Sequence, residues 1–461
     1  AQAMAKTLSL DELRELFDRG ELDTVVCAMP DLWGRLVGKR VRAKTFFDVA
    51  LGSEGLHGSL YLFCVDMEMD PQEGYALTDW ERGFQDCRFT PDLSTLRVVP
   101  WMEKTAIVIC DAHYEESDEL VPVAPRSILK GQIERALKAG FSLKCAAELE
   151  FYLFRDSYQQ AAEKRYQGLE PTSRFRADYH ILQSSMDDWF IGKAREMISA
   201  AGVEVEFSKS EWGLGQQEIN LRYTDALEMA DCHLLYKTWI KELAALEGMS
   251  ATFMAKPFFD DVGSSCHLHT SLWSVDGKKP IGWSANGRHH LSEIIDHFLG
   301  GLVATSRETS VCLLPNVNSY KRIQPDSFAP TAIAIGLDNR TCSFRLVGEQ
   351  ESFRVENRVP GADVNPYIAI AATIAGGLHG IHSQTPAPEP HRGNAYNEPS
   401  FERVPDTFTD AIAAFRQSKV ARESFGDEVF EHLVHFFSVE NDAFLRRCVT
   451  DWERVRYFER I

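Results

Sequence analysis

The 461-residue chain is 44% hydrophobic and 25% charged, an ordinary globular composition that is long enough for more than one domain. Its 68 acidic against 49 basic residues give a formal net charge of -19, which repels phosphate backbones and anionic lipids and excludes nucleic acid and membrane surfaces as expected partners. No N-terminal stretch reads as a signal peptide, the longest mostly apolar run (Ile368 to Leu378) is too short for a bilayer, and the ten cysteines lack CxxC spacing; a cytoplasmic protein with buried thiols is expected.

Ser9, Glu12, the stripe Leu10, Leu13 and Phe17, and Gly20 predict a first helix with a capping box and a glycine stop. Strands are predicted at Thr24 to Cys27, Lys39 to Arg42, Tyr61 to Val65, Thr95 to Val99 and Thr105 to Cys110, with an irregular stretch from Gly52 to Gly58. Residues 1–115 therefore read as a small β-rich domain. The acidic run Glu115 to Glu119 and the segment Val121 to Pro125 read as a linker, Pro125 opening a helix that Gly140 ends. Beyond it, strands alternate with long helices at 225–247, 291–304 and 366–378, and several more follow Asp406; Gly300 and Gly301 fall inside the second of these. The polar segment 155–179 reads as an extended loop. The class is α+β, a small domain over 1–115 leading a catalytic domain over 116–461.

Period-2 alternation in five segments places polar groups on one strand face. These sets are Glu148 and Glu150; Gln216, Glu218, Asn220 and Arg222; His267, His269 and Ser271; Ser343 and Arg345; and Arg354, Glu356 and Arg358. One such strand alone reads as a solvated surface strand, whereas five together point to a shared cavity. Clustered carboxylates repel one another and need cations to stay ionised. Carboxylates with one or two histidines suit Mg²⁺ or Mn²⁺, and no thiolate cluster argues for zinc. Arginines beside such metals suit bidentate binding of phosphate or carboxylate. No GxxxxGK[ST] loop and no kinase signature is present, so a nucleotide would be held through metals and arginines.

Seven blocks resemble the glutamine synthetase family: AAELEFYLF (146–154), GLGQQEINLRY (213–223), ATFMAKPFF (251–259), GSSCHLHTSLW (263–273), NSYKRIQPDSFAP (318–330), DNRTCSFR (338–345) and RVENRVPGADVNPY (354–367). The resemblance implies a β-grasp N-terminal domain and a catalytic antiparallel sheet flanked by helices. It also implies a homo-oligomer of stacked rings with active sites between subunits, and ATP, L-glutamate and a small amine as substrates. Two or more divalent cations would be held, the first by Glu150, Glu211 and Glu218, the second by Glu148, His267 and Glu356. Arg340, Arg345 and Arg354 match phosphate-binding arginines; Arg322, Arg358 and the Gly263 backbone match glutamate contacts. Tyr223 matches the aromatic residue against adenine, and His269 and Ser271 match nucleotide contacts; on its own Tyr223 reads more readily as core, and His269 as a satisfied structural histidine.

The sequence departs from that family pattern at the amine site. His57-Gly58-Ser59-Leu60 stands where the family has D-G-S-S, and Ser327-Phe328-Ala329-Pro330 stands where the family has a glutamate two residues before proline. His57 and Phe328 thus replace two carboxylates and Leu60 a serine, while Tyr179 and Glu211 keep their places; Val262-Gly263 replaces an Asn-Gly. Relatives that make γ-glutamylamides from organic amines depart in the same region. The resemblance therefore implies an ATP-dependent ligase joining glutamate to an alkyl- or arylamine, with His57 and Glu211 available for proton transfer. The alternatives are a glutamine synthetase using ammonia, a non-catalytic relative, which the intact ligand set argues against, and a ligase acting on another acid.

Overall fold

Residues 7–461 are described by the computed structural model. The first helix spans Leu10–Asp18, and its capping box is complete: the Ser9 hydroxyl accepts from the Glu12 N–H and the Glu12 carboxylate from the Ser9 N–H. Gly20, at φ +71°, turns the chain out of it.

The first sheet contains β1 (Thr24–Pro30), β2 (Leu36–Arg42), β3 (Leu56–Ser59), β4 (Asp86–Pro91), β5 (Arg97–Val98) and β6 (Thr105–Tyr114), in the order β2-β1-β6-β4-β3 with β5 also on β6. Only β1 and β6 run parallel. Two expectations fail here. The segment predicted as a strand from Tyr61 is a 3₁₀ turn, Leu60–Phe63, because the Ser59 hydroxyl accepts from the Tyr61 N–H and both end residues turn into the core. Asp92 likewise caps a 3₁₀ turn at Leu93–Thr95, which shortens the strand predicted from Thr95 to two residues. The supposedly irregular stretch before Gly58 contributes most of β3.

The second sheet contains β7 (Ser142–Phe154), β8 (Val205–Ser210), β9 (Gln216–Leu221), β10 (Thr224–Asp225), β11 (Ser250–Thr252), β12 (Cys266–Trp273), β13 (Ile335–Leu337), β14 (Phe344–Val347) and β15 (Arg354–Asn357). Its order is β13-β14-β15-β12-β7-β9-β8, with β10 and β11 also on β7. All five segments picked out by alternation belong to it. Helices Pro125–Lys138 and Ala226–Leu246 pack on β7, and helix Pro366–Ser383 crosses helix Glu293–Thr305. Glycines make that crossing close: a Cβ on Gly301 would lie 2.1 Å from the Gly376 carbonyl oxygen, and one on Gly380 2.1 Å from that of His297. Gly301, inside its helix, therefore permits the close helix contact.

Segment 155–179 is not wholly loop, since Ser157 and Gln160 form a capping box for helix Tyr158–Glu163. A continuous hydrophobic core runs from Leu13 to Phe437 across both sheets. Polar ties cross the same boundary: the Asn365 amide donates to the carbonyls of Asp31 and Leu32, and Arg126 bridges Asp92, Asp111 and Asp231. Nine cysteines are buried, Cys448 is exposed, and none forms a disulfide. Among the described residues no helix is long and apolar enough to cross a membrane.

Candidate active site

The register of the second sheet builds the site. Opposite Glu148 on β7 stand His267 of β12 and Asn220 of β9; opposite Glu150 stands Glu218. Glu356 on β15 faces His269 on one side and Arg345 on the other. Directly opposed side chains on one face have Cβ atoms about 5 Å apart, so register alone makes these groups neighbours.

Two clusters result, each with its potential ligand atoms within 4.8 Å of one another: Glu150, Glu211 and Glu218, and Glu148, His269 and Glu356. Glu211 follows β8 in a loop held tight from inside. Its N–H donates to the Gln216 carbonyl, and the Gln216 side chain accepts from Gly213 N–H and donates to the Gly263 carbonyl and the Ser264 hydroxyl. In the first cluster, burial and then Glu211 push Glu150 up to about 8. Burial, then Glu150 and Glu148, push Glu218 upward as well. Asn220 donates to Glu218, and its own side-chain oxygen is buried without a hydrogen bond.

The second cluster is better compensated. Burial opposes ionisation of Glu356, but His267, Arg358 and His269 outweigh it and hold its pKa low. Arg358 Nη1 donates to Glu356 Oε1 and Arg345 Nη1 to Oε2, each at 3.0 Å. His267 Nδ1 lies 3.2 Å from Glu148 and 3.3 Å from Glu356, and burial followed by Arg358 lowers the pKa of this imidazole. His269 Nδ1 accepts from Arg354 Nε at 3.2 Å, which leaves the ring proton of a neutral imidazole on Nε2. That Nε2 is buried 3.0 Å from Glu148 without an aligned hydrogen bond.

These donors fit divalent cations. Three facing carboxylates, Glu150 and Glu218 among them with raised pKa values, need a positive charge to ionise together, and both sets are oxygen-rich with imidazole in one. Buried polar atoms without partners (Asn220 Oδ1, His269 Nε2, Arg358 Nε) mark the same place as built for groups besides the chain itself.

Residues 122–457 match the family described as Glutamine synthetase, catalytic domain. The chain belongs to the glutamine synthetase family. It is 44% identical over 98% of its length to gamma-glutamylethanolamide synthetase GlnA4 of Streptomyces coelicolor, covering 96% of that protein. It is 38% identical to glutamate--isopropylamine ligase of a Pseudomonas species, with 97% of each chain covered. The solved structure titled "Apo GmaS without ligand" superposes with a TM-score of 0.84 at 26% identity, over 97% of this chain and 99% of that one.

Of the six residues expected as metal ligands, five fall in these two clusters, and the sixth, His267, stands beside the second, where His269 completes the set. Arg354 and Arg358 reach the second cluster through His269 and Glu356. Arg340 is exposed in the turn before β14 and makes no side-chain hydrogen bond or ion pair among the described residues. Arg322 is buried, its Nη1 and Nη2 donating to the Val359 and Arg358 carbonyls. Gly263 makes room for it: a Cβ there would lie 2.7 Å from Arg322 Cγ.

A cavity of about 220 Å³ beside the second cluster is lined by Tyr223, His269, Ser271, Arg354 and Lys144. Tyr223 is 40% exposed and stacks at 6.4 Å on Trp273, whose indole N–H donates to Ser271. It is therefore a wall of this cavity rather than core.

Four placements differ from the strand-face reading or from the amine pocket as drawn from sequence. Arg222 lies one residue beyond β9 and pairs with exposed Glu204, so it leaves the cavity. Ser343 is spent on the Ala334 backbone. Leu60 is buried in the continuous core and offers no apolar surface, and His57 on β3 pairs with Glu115, just past β6. Phe328, by contrast, is 66% exposed at φ +60°. Lys209, which bonds Glu211, was not among the residues expected from the sequence; β8 lies outside the five alternating segments.

Proposed function

We propose that this protein is an ATP-dependent glutamate–amine ligase that forms a γ-glutamylamide from L-glutamate and an organic amine. The observation that carries the reading is the two clusters of carboxylate and imidazole donors with Arg345 and Arg358 bonded to Glu356 between them. The two named ligases, similar over nearly their whole lengths, support the same chemistry.

Mg²⁺ or Mn²⁺, at least two per site, would neutralise the ATP phosphates when bound by Glu150, Glu211 and Glu218 and by Glu148, His267 and Glu356. Tyr223 and Ser271 hold the nucleoside end in the adjoining cavity. Arg354, Arg345 and Arg340 line the phosphate path, and charge-assisted hydrogen bonds from them strengthen as negative charge gathers on the transferred phosphoryl group. Arg322 and Arg358 orient glutamate, with the Gly263 backbone as a further contact. The γ-carboxylate attacks the ATP γ-phosphorus to give γ-glutamyl phosphate and ADP. The amine nitrogen then attacks the γ-carbonyl carbon, phosphate leaves with the bonding pair, and the nitrogen loses a proton to Glu211 or to His57 of a neighbouring subunit in a ring assembly. Phe328 and the exposed Tyr179 ring form the apolar wall that receives the amine's substituent.

The test uses glutamate labelled with ¹⁸O in the γ-carboxylate, with ATP, Mg²⁺ and an alkylamine. Released phosphate carrying one ¹⁸O and an amide retaining the other is the expected result. Unlabelled phosphate, or no amide, overturns the reading.

A further inference from the structure

We propose that Lys209 is a specificity-determining residue that bars ammonium from the amine position by filling the cation cage there from within. The inference rests on the ligase reading for what the cage faces, while the cage itself stands on geometry. On β8, Lys209 lies opposite Glu218 and two residues before Glu211, which follows the strand. Its Nζ donates to Asp178 Oδ1 and to Glu211 Oε1, both at 2.9 Å, and lies 4.0 Å over the Tyr179 ring. Two carboxylates and an aromatic face are the groups with which a protein captures a small ammonium ion.

The cage is built rather than incidental. Asp178 adopts φ +46°, a left-handed conformation, and its N–H donates to the Glu211 carbonyl at 3.1 Å. The backbone thus fixes the two carboxylates relative to one another, and the Lys209 side chain is only 18% exposed between them. A free ammonium ion entering this space meets a resident like charge. It must also displace a tethered cation whose effective concentration is far above that of a solute. Ammonium has no apolar part to offset this. An arylamine, uncharged at neutral pH, is not repelled, and its ring gains by covering exposed apolar surface. Lys209 thereby removes the advantage that two carboxylates would give a small cation.

Two variants test this, Lys209→Met, which keeps the stem without the charge, and Lys209→Arg, which keeps the charge. The first readout is the ratio of kcat/KM for ammonia to kcat/KM for an organic amine. It should rise by at least about 10-fold in Lys209→Met, the scale of a like-charge contact near a protein surface, and stay near the unmodified value in Lys209→Arg. A residue that merely braced the loop would lower both substrates together and leave the ratio unchanged, and that result overturns the proposal. The second readout needs no turnover: crystals soaked in thallium(I) should show an anomalous peak between Asp178, Glu211 and Tyr179 in Lys209→Met and none there in the unmodified protein. An empty cage in Lys209→Met also overturns the proposal. Absence of amide formation by the unmodified protein with every amine, together with a thallium-filled cage in the variant, would instead overturn the ligase reading.

Discussion

Replacing Glu150 with Gln should make the metal-free protein more stable while removing its stabilisation by metal. Glu150 is 9% exposed on β7, opposite Glu218, and burial followed by Glu211 raises its pKa from 4.5 to about 8. A carboxyl whose folded value lies above its unfolded value stabilises fully below the unfolded pKa and loses that contribution as pH rises through the folded one. At pH 7 the loss has run for 2.5 of those pH units, roughly 3 kcal/mol at about 1.4 kcal/mol per unit. With an unfolding entropy of about 1 kcal/mol/K for a chain this long, that corresponds to ~3 °C in Tm. Glutamine carries no charge to desolvate and keeps an acceptor for the Ser265 N–H that Glu150 Oε2 now accepts at 2.8 Å. Cation binding to the native carboxylates should recover this loss, by ~2.7 kcal/mol at a hundred times Kd, and Glu150→Gln should respond far less. Calorimetric melts in EDTA and across a Mg²⁺ or Mn²⁺ titration measure both effects. A Glu150→Gln protein that melts lower in EDTA, yet gains as much from metal as the parent, would refute the reasoning.

Glu218→Gln should cut kcat at least ~100-fold, because it removes a charge that holds the cation at the phosphoryl group; near-normal steady-state turnover would remove Glu218 from the ligand set. Arg345→Ala should lower kcat with little change in KM for glutamate, since phosphate charge develops as the reaction proceeds, whereas an effect confined to that KM would make Arg345 a substrate contact. His432, buried on helix Asp427–Arg447 with Nε2 on the Phe63 carbonyl, is held down to about 4 by burial first. Its neutral form is the folded form, so this contribution is complete above about pH 6.5 and is lost as pH falls towards 4. The loss amounts to roughly 3 kcal/mol, and His432→Gln should flatten the slope of Tm against pH across that window.

Much of the site was legible because it is written in local periodicity. Alternation alone grouped Glu148 with Glu150, His267 with His269, and Arg354 with Glu356 and Arg358, and the sheet presents them together. What alternation cannot give is register, which depends on strands far apart in sequence; that His267 stands against Glu148 and Glu150 against Glu218 had to be seen. Nor does it say where a strand stops, and Arg222 was lost because β9 ends at Leu221. Local side-chain hydrogen bonds misled the N-terminal reading, where Ser59 and Asp92 cap turns in sequences of good strand propensity. Lys209 lies outside the five alternating segments, and only the pairing of β8 with β9 brings it beside the carboxylates.

The central claim is most directly tested by phosphate release and amide formation with ATP, Mg²⁺, glutamate and a panel running from ammonia through alkylamines to anilines. The account predicts that kcat/KM for a hydrophobic organic amine exceeds that for ammonia, and that Phe328→Glu shifts the ratio towards ammonia. Equal kcat/KM values for ammonia and every larger amine on the unmodified enzyme would contradict it.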